Sequence, residues 1–192
     1  MQALPAAAPP APQRQVLVGM SLAIAAIFVL TGSMLGVWAL QRSNAIDLEG
    51  SWLPSGVTIP EVPTNVILIA FIGICVFAQW AVWSAKRRDR GHTVFALGCT
   101  ALVSLMVINA QAFVYHEMNL GIVDGTYASM FYAVTGLFMA LMIIGVVMTV
   151  VVALRYIGGR TADREILAAH ALYWYAMSVV YAAIWFLVYV TK

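Results

Sequence analysis

GTYASMFYAVTGLFMALMIIGVVMTVVVAL, residues Gly125–Leu154, runs for 30 consecutive positions without Asp, Glu, Lys, Arg or His. A helix crosses about 30 Å of hydrocarbon with about 20 apolar residues, so this run alone can span a bilayer, with length left for tilt. Four further runs share its character: Val16–Leu40, Val62–Ala85, Thr93–Tyr115 and Ile166–Thr191, the last containing only His170. None alternates polar and apolar residues as an outer-membrane barrel strand does. The chain therefore reads as an all-α integral membrane protein with five transmembrane helices, 16–40, 62–85, 93–115, 125–154 and 166–191, within one domain, 16–192.

Composition agrees. Of 192 residues, 63% are hydrophobic and 9% charged, against averages of about 45–50% and 25%. With 10 basic and 8 acidic side chains the chain cannot clothe a water-soluble surface, which excludes a cytosolic enzyme, a secreted disulfide scaffold and a nucleic-acid-binding domain. The longest piece outside the spans, Gln41–Glu61, is 21 residues and is too short to bury a core of its own. The first 15 residues, MQALPAAAPPAPQRQ, form a Pro- and Ala-rich tail expected to be disordered and cytoplasmic. A cleaved signal peptide is disfavoured, since the first basic residue is Arg14 and the apolar run after it is too long for an h-region.

Charge sets the orientation. Five spans put Arg14, Lys86, Arg87, Arg88, Arg90, Arg155, Arg160 and Arg164 on one side and only Arg42 and Lys192 on the other. Under the positive-inside rule the N-terminus is cytoplasmic and the C-terminus outside. Asp47, Glu49, Glu61, Glu117 and Asp124 gather on the outer side.

Redox centres in a membrane need ligands that share one depth. The three histidines do not: His116 belongs to the outer end of its helix, and His92 and His170 to the inner side, where each reads as a boundary histidine. Cys75 and Cys99 sit inside spans and read as small packing residues. No catalytic, cofactor-binding or metal-binding residue is expected in this chain. Ionisable groups are missing from the span interiors, which weighs against a pump or a proton-conducting subunit. Amides and hydroxyls such as Gln79, Asn65, Asn109 and Thr135 are suited to bonds between helices.

Other features concern packing. Gly32 and Gly36 make a GxxxG on the first helix, which permits close approach of a second backbone. Tyr181, Trp185 and Tyr189 recur at helical spacing as one aromatic face of the last helix. Within that row Trp185 is expected to pack more tightly than Tyr189, which lies nearer the outer head groups. Trp80 and Trp83, just before the basic turn, read as an interfacial anchor.

Three stretches carry a family resemblance: AQAFVYHE (Ala110–Glu117), DGTYASMFYAVTGLFMALMIIG (Asp124–Gly145) and HALYWYAMSVVYAAIWFLVYV (His170–Val190). Together with GMSLAIAAIFVLTG (Gly19–Gly32) and SWLPSGVTIPEVPTNVILIA (Ser51–Ala70), they resemble subunit III of haem–copper oxidases, in order, over about residues 16–192, in a five-helix form without two N-terminal helices. Gln111, Tyr115, Glu117, Asp124, Gly125, Thr135, Gly136, Gly145, Tyr173 and Trp174 keep the family pattern. Other family positions are lost. A membrane carboxylate falls on Ala26, the acid of QAFEY on Val114, two histidines on Phe138 and Leu141, and a His and an Asp on Tyr175 and Ser178. Roles tied to those buried groups, proton-uptake support included, do not carry over; the architectural role does.

The resemblance implies a non-catalytic accessory subunit of a bacterial respiratory terminal oxidase of the cytochrome c oxidase type, multi-pass in the inner membrane. Its implied partners are catalytic subunit I, subunit II and phospholipids, with haem and copper in the catalytic subunit and none here. It leaves the electron donor, cytochrome c or quinol, open. Gly32, Gly36, Gln111, Tyr115, Glu117, Trp174, Tyr181 and Trp185 are the candidate subunit-interface or lipid contacts. Three other readings stand beside it: the accessory subunit of a nitric oxide reductase or quinol oxidase, a stand-alone channel or transporter, and an assembly factor.

Overall fold

The computed structural model describes residues 14–160 and 164–191; the tail expectation for 1–15 falls almost wholly, and Lys192 wholly, outside them. Among the described residues there are five helices and no strand: α1 (Gln15–Glu49), α2 (Glu61–Lys86), α3 (Arg90–Met118), α4 (Thr126–Ile157) and α5 (Arg164–Ile184). The last runs without a break into a π-helical segment, Trp185–Val190. All five are long and apolar enough to cross a membrane.

The connections follow from local chemistry. α1 continues nine residues past its apolar run, because Gln41–Glu49 contains no helix breaker, and stops where Gly50 takes φ 76 and its N–H bonds the Ile46 carbonyl. The connection expected over Gln41–Glu61 is thus a loop only from Gly50 to Pro60. Proline is tolerated at the start of α2, where Pro60 caps and Pro63 lies in the first turn, since a backbone N–H at those positions would have no intrahelical partner and its loss costs no bond. α3 starts at Asp89, whose carboxylate accepts the His92 backbone N–H at 3.0 Å, and ends on Asn119 in the left-handed region (φ 46).

α5 lies among α1, α2 and α4, and α3 closes the far side against α2 and α4. The α2–α3 seam is built of small residues. Ala78, Ala81 and Ala85 on α2 and Thr93, Ala96 and Thr100 on α3 are all buried, at spacings of three, four and seven. Short side chains let two backbones approach closely, which substitutes for the hydrophobic drive that lipid removes. The hydroxyls on α3 bond within the helix, Thr100 to the Ala96 carbonyl (2.9 Å) and Ser104 to the Thr100 carbonyl (2.7 Å). At the basic end, the Arg90 guanidinium donates to the Ile157 carbonyl and ties the start of α3 to the end of α4.

α1 is the least covered helix. Ile24, Thr31, Leu35 and Trp38 face inward, while Leu22, Val29, Val37 and Leu40 face out. Its outer end is held by a ring cluster: Trp38, Trp52 and Tyr127 lie 5.3–5.4 Å apart, and the Trp38 indole N–H donates to the Leu187 carbonyl at 3.2 Å.

Candidate functional site

The positions singled out in the sequence divide between interior and surface. α5 carries the interior set. The Tyr173 hydroxyl donates to the Leu141 carbonyl at 2.6 Å. The Trp174 indole N–H lies 3.1 Å from both His170 Nε2 and Thr149 Oγ1, and those two atoms are 2.9 Å apart. The indole N–H donates to this pair, and the Thr149 hydroxyl also donates to the Gly145 carbonyl at 2.8 Å, so the cluster ties α4 to α5. His170 is fully buried, not a boundary histidine as expected, because Thr149 and Trp174 give its imidazole partners inside the bundle. His92 and His116 do sit at the first and last turns of α3.

Gly145 explains this close fit. A Cβ there would lie 2.8 Å from the Tyr173 ring and 2.9 Å from the Trp174 ring, so only glycine lets α5 come this near α4. Further along α5, Tyr181 stacks on Phe71 (5.4 Å, 23°), packs on Phe138 (5.0 Å), and donates to the Thr64 carbonyl at 2.9 Å. Gln111 donates to the Tyr189 hydroxyl at 3.0 Å.

Three candidate contact residues, Gln111, Trp174 and Tyr181, are therefore enclosed by this chain's own helices, each 0% exposed. Their polar atoms find partners within the bundle, so they join helices of this chain and offer nothing to a neighbour. The aromatic row also departs from expectation. The π-helical segment changes the register, burying Tyr189 (3% exposed) and leaving Trp185 half-buried, its indole donating to the Asn65 side chain at 2.8 Å. A straight i, i+4, i+8 projection cannot anticipate that shift.

The other candidates face outward or to the edge. Gly32 and Gly36 are exposed, and among the described residues a Cβ at either would meet nothing within 4 Å. Glu117 is exposed at the end of α3, and Tyr115 is half-buried against Tyr132 (5.2 Å) and Phe131 (5.9 Å). At the basic end, Trp83 is exposed with the Arg87 guanidinium 3.7 Å above its ring. In the same turn the His92 N–H holds the Asp89 carboxyl below its ordinary value, reinforced by the His92 ring.

The positions where the family's charged groups are absent have three fates, of which Ala26, exposed on α1, is the first. Val114, Phe138 and Leu141 are buried in the main core, where apolar side chains avoid the cost of desolvating charge. Tyr175 and Ser178 are half-buried and stay polar: Tyr175 donates to the Gln79 amide oxygen at 2.8 Å, and Ser178 to the Tyr175 carbonyl at 2.7 Å. Among the described residues no three of His, Cys, Asp and Glu converge on a point that could hold a metal. Sequence reasoning missed the His170–Thr149–Trp174 cluster. The i, i+4 spacing of His170 and Trp174 was its only local sign.

Comparison with known proteins places these features. The family model described as Cytochrome c oxidase subunit III matches residues 9–192. "Probable cytochrome c oxidase subunit 3" of Rickettsia bellii (strain RML369-C) is 28% identical over 171 residues, 83% of this chain and 57% of that protein. "Cytochrome c oxidase subunit 3" of Petromyzon marinus is 26% identical over 163 residues, 79% of this chain and 61% of that protein. The protein of that name from Corynebacterium diphtheriae is 27% identical over 161 residues, 81% of this chain and 78% of its own. The chain thus spans a little over half the length of the Rickettsia relative. With the match covering residues 9–192, the chain belongs to the cytochrome c oxidase subunit III family.

Proposed function

We propose that this chain is the accessory subunit III of a bacterial respiratory haem–copper terminal oxidase, seated beside the catalytic subunit in the inner membrane, with its N-terminus in the cytoplasm. The observation that carries this reading is the family match over residues 9–192 on a bundle of five apolar helices. Orientation is supported by the placement of Lys86, Arg87, Arg88, Arg90, Arg155, Arg160 and Arg164 at the α2–α3 and α4–α5 connections, on the side where α1 begins.

In this reading the chain transfers no electrons. Its interior is held by neutral hydrogen bonds, and haem and copper reside in the catalytic subunit. The chain's contribution is a rigid apolar body that covers one flank of that subunit. A partner that binds only the folded catalytic subunit stabilises it by mass action. The contact face is the open side of α1 around Gly32 and Gly36, whose missing side chains suit a close neighbouring helix. Phospholipid fills the surface left between them.

The test is purification through a tag from native membranes in mild detergent, with a reduced-minus-oxidised spectrum and identification of co-eluting subunits. Haem bands with an oxygen-reducing subunit I are expected. A colourless preparation from membranes whose oxidase otherwise stays intact would overturn the proposal, and a nitric oxide reductase partner would replace it.

A further inference from the structure

Two motifs used only as family markers meet in space: SWLPSG (Ser51–Gly56) and the helix start DGTY (Asp124–Tyr127). They form two walls of a cleft of about 590 Å³, within the range of about 300–1,000 Å³ usual for small-molecule sites. The third wall is the end of α1, where Gln41, Asn44, Ala45 and Leu48 share one helical face.

Depth fixes what can enter. The apolar run ends at Leu40, so Gln41 is one residue beyond it and Leu48 eight; at 1.5 Å per residue the wall rises to about 12 Å past the hydrocarbon. The head-group layer occupies the first ~5–8 Å of that distance. The cleft opens at head-group level.

Its chemistry is rich in donors and carries one carboxylate. α4 begins at Gly125 with no side-chain cap, leaving first-turn N–H groups and the positive end of the helix dipole for an acceptor. Trp52 and Tyr127 line the cleft and are 8% and 4% exposed, yet among the described residues neither the Trp52 indole N–H nor the Tyr127 hydroxyl has a hydrogen-bond partner. Buried donors without acceptors are rare enough to call for one from outside the chain. Asp124 supplies the negative charge, with Oδ2 accepting the Gly121 N–H at 2.6 Å.

We propose that this cleft holds the phosphate–ammonium head group of a zwitterionic phospholipid, with the phosphate at the start of α4 and the ammonium at Asp124. The inference deepens the lipid-binding part of the proposed function. A purely anionic head group would bring its phosphate to the same helix start but no ammonium to pair with the Asp124 carboxylate, so the site favours the zwitterion.

The test uses the purified complex, passed through vesicles of equal phosphatidylethanolamine and phosphatidylglycerol with matched acyl chains. After mild re-extraction, retained lipid per chain is counted by native mass spectrometry. Asp124→Asn keeps an acceptor for Gly121 but removes the charge; Asn44→Trp, at an exposed position, fills the cleft without touching the core. Each should lower retained phosphatidylethanolamine on the order of tenfold, the size of one contact to a charged group, with co-purifying partners unchanged. Unchanged retention in Asn44→Trp, or equal retention of phosphatidylglycerol by the wild type, would overturn the proposal. So would a photo-crosslink from Asn44 to a protein loop instead of lipid. Wild-type chain that arrives without a catalytic subunit would sink the proposed function alone, because the lipid count remains readable.

Discussion

Gly145→Ala tests the close fit of α4 and α5 through the sign of its effect. In an open helix the change should stabilise, since alanine is better than glycine in a helix interior by about 1 kcal/mol. At Gly145 the new methyl would lie 2.8 Å from the Tyr173 ring and 2.9 Å from the Trp174 ring. Neither ring can easily give way, because Tyr173 is tied to the Leu141 carbonyl (2.6 Å) and Trp174 to His170 and Thr149 (3.1 Å each). Overpacking costs about 1–3 kcal/mol, and two locked rings put this case near 3. Subtracting the propensity gain of about 1 kcal/mol leaves a net loss of about 2 kcal/mol, roughly 30-fold in the folding equilibrium. Gly73→Ala and Gly98→Ala are the controls, as each would place its methyl with nothing within 4 Å. The assay is reversible unfolding in mixed micelles, followed by tryptophan fluorescence. The reasoning is refuted if Gly145→Ala is as stable as the two controls.

Tyr189→Ala should cost more stability than Trp185→Ala, because Tyr189 is buried and Trp185 half-buried; the same unfolding assay ranks them, and the reverse order would return the row to regular helical spacing. Tyr189→Phe should lose about 0.6–1 kcal/mol by removing the Gln111 partner, a loss that Gln111→Leu in the same background should not add to. Gly32→Leu combined with Gly36→Leu should leave the isolated chain folded, since both sites are open, yet reduce recovery of the catalytic subunit in a pull-down. Unchanged recovery would remove that face from the interface. Asp89 has a lowered folded-state pKa, so its contribution to the start of α3 is full above the ordinary carboxyl value of 3.8 and fades as pH falls through the lowered one. Protection of the His92 amide against exchange, taken relative to its intrinsic rate, should therefore fall only in acid, and Asp89→Asn should flatten that dependence.

The surface of the bundle was only partly legible. Gly32 and Gly36 stood out because a GxxxG needs no tertiary knowledge to be noticed, and the structure leaves both open. Gln111, Trp174 and Tyr181 looked like contact residues because polar and aromatic side chains in a lipid-embedded helix need partners. Their partners proved to be Tyr189, His170 and the Thr64 carbonyl of the same chain. Sequence spacing gives a residue's face on its own helix but not which helix lies opposite.

By itself, the sequence determined the five helices, because a bilayer demands about 20 apolar residues per crossing and charged residues mark where each crossing stops. It also carried the family, through short motifs in order. Only the tertiary structure decided the rest. α1 outlasts its apolar run because helix formation depends on backbone bonds, not hydropathy. Trp185 and Tyr189 exchange burial because the π-helical segment changes the register, and His170 is interior because Thr149 and Trp174 meet it there. The cleft of Asn44, Trp52 and Asp124 exists because the ring cluster of Trp38, Trp52 and Tyr127 folds one loop onto the ends of two helices. Such contacts join residues far apart in the chain, and no local pattern encodes them.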